Sequence, residues 1–189
     1  MVELGVLGPL QVLDGGVPVA IAGAKPRALL TMLGLHGDSV IAADALMELL
    51  WGDDPPRTAI KALQTHISAL RRALGDGVVL TEGTGWRLGT ADVDAARYRA
   101  AARMGRDAAA AGDTGAAVAC FEEALRFWRG VPDLPDSRRG IAERTRWIEG
   151  HAALVEDRAD AVLDTGRAAE IIGELEAAVA DAPLRERRW

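Results

Sequence analysis

One cysteine, three histidines and no long apolar run set the first limits on this 189-residue chain. A lone Cys120 excludes an intramolecular disulfide and leaves no cysteine pair for a zinc site. It falls in an apolar helical stretch and reads as a small core residue. His36, His66 and His151 lie in separate segments, and the chain has neither a Gly-rich loop ending in Lys-Ser/Thr nor an HExxH run. No nucleophile has a recognisable base partner, no cofactor is implied, and the chain does not read as an enzyme. The apolar runs are far too short to span a bilayer and the N-terminus has no signal-peptide pattern, so no membrane is expected and the expected location is the cytoplasm. With 49% hydrophobic and 26% charged residues, the composition is that of a globular protein of one or two domains.

A second absence is local. Residues 55–75 contain no Asp or Glu, in a chain whose formal net charge is -6. Within them Ile60, Leu63, Ile67, Leu70 and Leu74 keep helical spacing and predict a buried stripe. At about 100° per residue, Arg57, Lys61, Gln64, Thr65, Ser68, Arg71 and Arg72 then share an arc of roughly 120° on the other side. Such a face is either a solvated surface or a helix shaped for the DNA major groove. A solvated helix usually interleaves Glu with Lys at i,i+4, and this one does not.

The flanking segments decide between the two. Glu3–Leu7, Leu10–Leu13 and Val17–Ile21 read as short strands around Gly8-Pro9 and Asp14-Gly15-Gly16, with Pro18 placing the third run at an edge. Lys25 to His36 reads as a helix with Pro26 in its first turn and Gly37 after its end. Val40-Ile41 is enough for one isolated bridge strand. A second helix at 43–51 stops at Gly52, and the turn Asp53-Asp54-Pro55-Pro56 launches the basic helix near Arg57 or Thr58. Val78–Thr81 and Trp86–Leu88 then form a hairpin. This order predicts a winged helix-turn-helix with an N-terminal sheet, the basic helix in the recognition position and the hairpin as wing.

From residue 92 the chain turns to alanine-rich helices, at 94–111, 115–129 and about 139–164, with a loop at 130–136. Gly112, Ala117-Val118, Phe121-Glu122 and Ala124-Leu125 are echoed by Gly166, Ile171-Ile172, Leu175-Glu176 and Ala178-Val179. Antiparallel pairs of this kind are tetratricopeptide-like, and such pairs bind protein segments or self-associate; a plain helical spacer is the plainer alternative. Asp181–Trp189 reads as the first turns of a further helix, so the natural protein is expected to continue. The expected fold is an α+β winged helix-turn-helix at 1–92 followed by an all-α tetratricopeptide-like domain at 93–189.

Leu49–Pro56, Ala62–Leu74 and Gly85–Leu88 together resemble the Streptomyces antibiotic regulatory proteins. Val93-Asp94 with Tyr98, Ala124–Gly130 and Pro183–Arg187 resemble the bacterial transcriptional activation domain that follows in that family. The resemblance implies an OmpR/PhoB-type winged helix, binding to double-stranded promoter DNA at direct repeats as pairs of protomers, recruitment of RNA polymerase through its sigma factor, and activation of antibiotic biosynthetic genes. Larger members carry an ATPase module further on. This sequence departs from the pattern at two places: the family often has Arg where Ala69 stands, and the wider winged-helix class often has a wing Arg where Glu82 stands. A carboxylate near phosphate is unfavourable.

Chemistry assigns the roles. Lys61 and Arg71 suit guanine O6/N7, and Gln64 suits adenine or phosphate. Thr65 and Ser68 suit thymine methyl or phosphate, Arg57 and Arg72 suit phosphate, and Thr81, Thr84 and Arg87 are the wing candidates. His66, Trp51 and Trp86 read as packed residues. Asp53 and Asp54 are either helix-start carboxylates or a polymerase-facing loop. Residues 1–92 and 93–189 each carry a net charge of -3, so any DNA contact is a local patch working against an acidic field. That predicts modest, strongly salt-dependent affinity. The competing reading is a tetratricopeptide-type adaptor whose winged helix only packs.

Overall fold

The computed structural model describes residues 1–167, 171–173 and 176. They divide into two compact units, one of residues 1–96 and 129–148, the other of residues 97–128 and those from 149 on. No helix among the described residues is long and apolar enough to cross a membrane.

The first unit opens with β1 (Val2–Gly5), β2 (Gln11–Asp14) and β3 (Val17–Pro18). In β1 the alternation buries Val2 and Leu4 and exposes Glu3, the period-2 pattern of a strand with one core face. The expected third strand is only two residues long and lies at the sheet edge, where Pro18 costs no interior ladder bond. Then come α1 (Ala24–His36), β4 (Ile41–Ala42), α2 (Ala43–Trp51) and α3 (Ala59–Leu74). The hairpin β5 (Val79–Glu82) and β6 (Gly85–Leu88) follows, closed by the two-residue turn Gly83-Thr84 with Gly83 at φ 58°. Only glycine takes that conformation without strain. A small sheet forms in the order β4-β6-β5.

One strand has no counterpart in the sequence reading. β7 (Asp92–Val93) runs parallel to β1 and completes the order β3-β2-β1-β7. The next residue, Asp94, begins α4 (Asp94–Ala110) and accepts the backbone N–H groups of Val6 at 2.8 Å and Leu7 at 3.1 Å. Arg129 donates from its backbone to Leu7 O, from Nη1 to Pro9 O and from Nη2 to Asp94. These bonds satisfy backbone groups that β1 leaves open where it ends. They also explain why 129–148 packs with the first unit.

In the second unit, the later part of α4 forms a helical hairpin with α5 (Thr114–Arg126), turning at Gly112 with φ 79° and capped where Asp113 accepts Ala116 N–H at 3.0 Å. Ala117, Val118, Phe121 and Ala124 form the buried side of α5, and a side chain at Gly105 would run into the Phe121 ring. Cys120 is half-buried on this helix. The long α6 (Arg138–Asp164) begins in the first unit and continues in the second. Within the second unit Arg106 pairs with Asp157 at 2.8 Å and Arg158 with Glu122 at 3.2 Å. Trp128 stacks on His151 with ring centroids 4.2 Å apart. The expected turn at Thr165-Gly166 is present, with Gly166 at φ 77°. Of the expected third arm, Leu175, Ala178 and Val179 lie outside the described residues, as does Asp181–Trp189.

Candidate nucleic-acid interface

The site rests on how α3 is seated. Ala59, Leu63, Ile67, Leu70 and Leu74 are its buried residues. Ile60, expected in that stripe, is instead 42% exposed. Ala59 stands four residues before Leu63 and takes the inward position, while Ile60 is turned about 100° away. Four buried aliphatic side chains are worth roughly 1.5–3 kcal/mol each, enough to hold the helix face in place.

Lys61, Gln64, Thr65, Ser68 and Arg72 are all exposed on the opposite side. Arg57 is exposed too, but it lies in the turn before Ala59 rather than on the helix. The two hydroxyls are turned back on the helix. Thr65 Oγ1 donates to Lys61 O at 2.9 Å, and Ser68 Oγ donates to Gln64 O at 2.8 Å. In this arrangement the hydroxyls keep lone pairs free to accept, and donation to a phosphate requires a rotamer change.

Arg71 behaves differently from the rest of the arc. Its Nε donates to Val79 O at 2.8 Å and its Nη2 to Thr81 Oγ1 at 2.7 Å. The structure thus places its guanidinium against β5, tying the hairpin to α3, and Thr81 is engaged as its acceptor. On the hairpin, Arg87 Nε donates to Glu82 Oε2 at 2.6 Å and Nη1 to Leu88 O at 3.2 Å. The carboxylate that the sequence marks as unfavourable near phosphate also occupies the wing's cation. Thr84 is exposed at the tip, and its carbonyl accepts Ala43 N–H at 3.1 Å. Asp53 and Asp54 are exposed in the turn between α2 and α3.

The other flank of α3 is aromatic. His66 stacks on Trp51 with centroids 6.4 Å apart and an interplanar angle of 26°. Burial, and then the charge of Lys25, hold His66 below its ordinary value, so it faces this flank as a neutral ring. Both residues are half-buried, whereas Trp86 is core. Lys25 Nζ lies 5.1 Å from the Trp51 ring centroid. Sequence reasoning passed over Lys25, because it belongs to α1 and no pattern within 55–75 points to it. The faint signal was its rarity, as one of seven cations in the first 92 residues.

Comparison with known proteins agrees with this architecture. Residues 20–88 match the family described as "Transcriptional regulatory protein, C terminal", and residues 93–189 match "Bacterial transcriptional activator domain". Regulatory protein DnrI of Streptomyces peucetius is 32% identical over 202 residues, covering 99% of this chain and 74% of that protein. Transcriptional regulatory protein MoaR1 of Mycobacterium bovis is 36% identical over 200 residues, covering 100% of this chain and 64% of that protein. A solved structure of Mycobacterium tuberculosis EmbR in complex with a low affinity phosphopeptide matches with TM-score 0.90 and 34% identity, over 100% of this chain and 52% of that one. The chain therefore spans about half to two thirds of the length of these two mycobacterial proteins. MoaR1 is named as a transcriptional regulatory protein and DnrI as a regulatory protein, neither as an enzyme.

Proposed function

The chain belongs to the Streptomyces antibiotic regulatory protein family, which joins an OmpR/PhoB-type winged helix to a bacterial transcriptional activator domain, and from that premise we propose that it is a sequence-specific, DNA-binding transcriptional activator. The observation that carries this reading is the outer face of α3. Lys61, Gln64, Thr65, Ser68 and Arg72 stand in solvent there, on a helix without one carboxylate.

Lys61 and Gln64 read base edges in the major groove, with Thr65 and Ser68 beside them. Arg57 and Arg72 hold phosphates. Arg71 acts through the hairpin, fixing the wing at the angle from which Thr84, Thr81 and, once released by Glu82, Arg87 reach the neighbouring backbone. The DNA-binding part runs over 1–92 and the activation part over 93–189. In the cytoplasm two protomers occupy a direct repeat in a promoter of antibiotic or secondary-metabolite genes. Asp53 and Asp54 face RNA polymerase and its sigma factor.

Footprinting of the chain on direct-repeat promoter fragments, followed by transcription in vitro with RNA polymerase holoenzyme, tests the proposal. Protection of both repeats and raised transcript supports it. Equal binding to promoter and scrambled DNA, without activation, favours the tetratricopeptide-type adaptor instead.

A further inference from the structure

An α-helix with its side chains is about 10–12 Å across, and the major groove is about 12 Å wide, so a helix seated there has a row of phosphates along each flank. The two flanks of α3 can be told apart. Arg71 and His66 are five residues apart, about 140° around the helix, and the exposed positions Lys61, Thr65, Ser68 and Arg72 lie in the wide arc between them. Arg71 marks the hairpin side, through Val79 and Thr81. His66 marks the other side, where its ring stacks on Trp51 and Trp51 in turn carries Lys25.

Lys25 is exposed and forms no ion pair among the described residues. Asp133, the carboxylate that shares a surface cavity with it, is paired with Arg27 at 3.8 Å. Its charge reaches the flank of α3, since it is felt at His66. A compact ammonium on a flexible stem, parked over an aromatic face, is suited to swing onto a phosphate as a point charge.

We propose that Lys25, seated on Trp51, is a DNA-backbone contact that grips the phosphates on the side of the major groove opposite the hairpin. The proposal rests on α3 being the recognition helix. It gives the protein a clamp with two arms, one from the wing and one from the start of α1.

The test uses the full chain and a direct-repeat promoter fragment, with affinity measured by fluorescence anisotropy over a range of salt. Lys25→Gln should make the slope of log K against log salt shallower by about 0.9 and weaken specific and scrambled DNA alike, about five- to tenfold at low salt. Lys25→Arg should restore both, and the control Arg126→Gln, on the exposed side of α5, should change neither. Ethylation interference then locates the contact. The phosphate whose modification no longer matters in Lys25→Gln should lie on the side of the groove away from the hairpin. A wild-type chain that binds tightly, with Lys25→Gln matching Arg126→Gln in slope, overturns the Lys25 contact and leaves the recognition helix standing. A wild-type chain that binds no DNA overturns both this contact and the proposed function.

Discussion

Arg71→Ala separates two roles that the helix face alone cannot. In the structure the guanidinium donates to Val79 O at 2.8 Å and to Thr81 Oγ1 at 2.7 Å, so it is a brace between α3 and β5. Hydrogen bonds from a charged donor contribute roughly 1.5–3 kcal/mol where water is excluded. Arg71 is only half-buried, which screens the charge and brings the pair to about 1–2 kcal/mol together. Urea unfolding should therefore show a loss of about 1–2 kcal/mol, and melting should fall by about 2–8 °C. Thr81→Val, which removes one acceptor, should show about half of that. Amide exchange over residues 79–88 should quicken, because the hairpin has lost its tie to α3. On DNA, a loosened wing weakens specific and random sequences alike. If Arg71→Ala instead leaves stability and hairpin exchange unchanged, and costs affinity only on the specific site, the brace is unimportant and Arg71 reads a base.

Three further outcomes follow from named contacts. Glu82→Gln removes the carboxylate that holds Arg87 at 2.6 Å; DNA affinity should rise and the salt slope steepen by about 0.9, and an unchanged slope would show that Arg87 does not meet phosphate. Asp94→Ala strips the acceptor from the Val6 and Leu7 N–H groups and the partner from Arg129, and should cost about 2–4 kcal/mol in urea unfolding; a loss below about 0.5 kcal/mol would mean water replaces the carboxylate. Burial pushes His151 down from 6.5 to about 4, so the unfolded chain binds this proton first; the stability linked to His151 is complete above about pH 6.5 and declines as pH falls towards about 4. His151→Phe should flatten that part of the stability-pH curve relative to wild type, and parallel curves would refute the assignment.

Much of the fold was legible because its signals are local. Helices α1, α2 and α3 begin and end within two residues of their sequence expectations, since Pro26, Gly37, Gly52 and the 53–56 turn act on their immediate neighbours. The hairpin was legible for the same reason. β7 was not: two residues are too few for any periodicity, and its partner β1 lies almost ninety positions earlier. The return of 129–148 to the first unit was equally hidden, because Arg129 takes its place by bonds to Leu7, Pro9 and Asp94 that leave no pattern around residue 129. Ile60 misled because a hydrophobic stripe is assigned by size, and Ala59 fits the inward position while looking neutral. Within the site, the wheel gave the exposed arc correctly for Lys61, Gln64, Thr65, Ser68 and Arg72. It treats side chains as rods, however, and a long arginine at the edge of an arc bonds to whatever lies beside the helix. That is why Arg71 lies on the hairpin.

The distribution of cations bears on how an acidic chain would meet DNA in the proposed way. Of the seven in the first 92 residues, Arg27 is paired with Asp133, Arg87 with Glu82, and Arg71 is bound to the hairpin. Lys25, Arg57, Lys61 and Arg72 are left, and all four are exposed on or beside α3. On the proposed roles, four cations brought to the DNA would release about four counterions, a slope of roughly -3.6, which costs about a hundredfold in affinity between 50 and 200 mM salt. A single protomer with so few contacts is easily stripped from its site. On the proposed pairing, two protomers on adjacent repeats double the slope but add their binding free energies, so occupancy would survive only where both half-sites are present. Under that proposal the carboxylates that hold Arg27 and Arg87 would help selectivity, keeping the lone protomer weak and making the paired site the one that is filled.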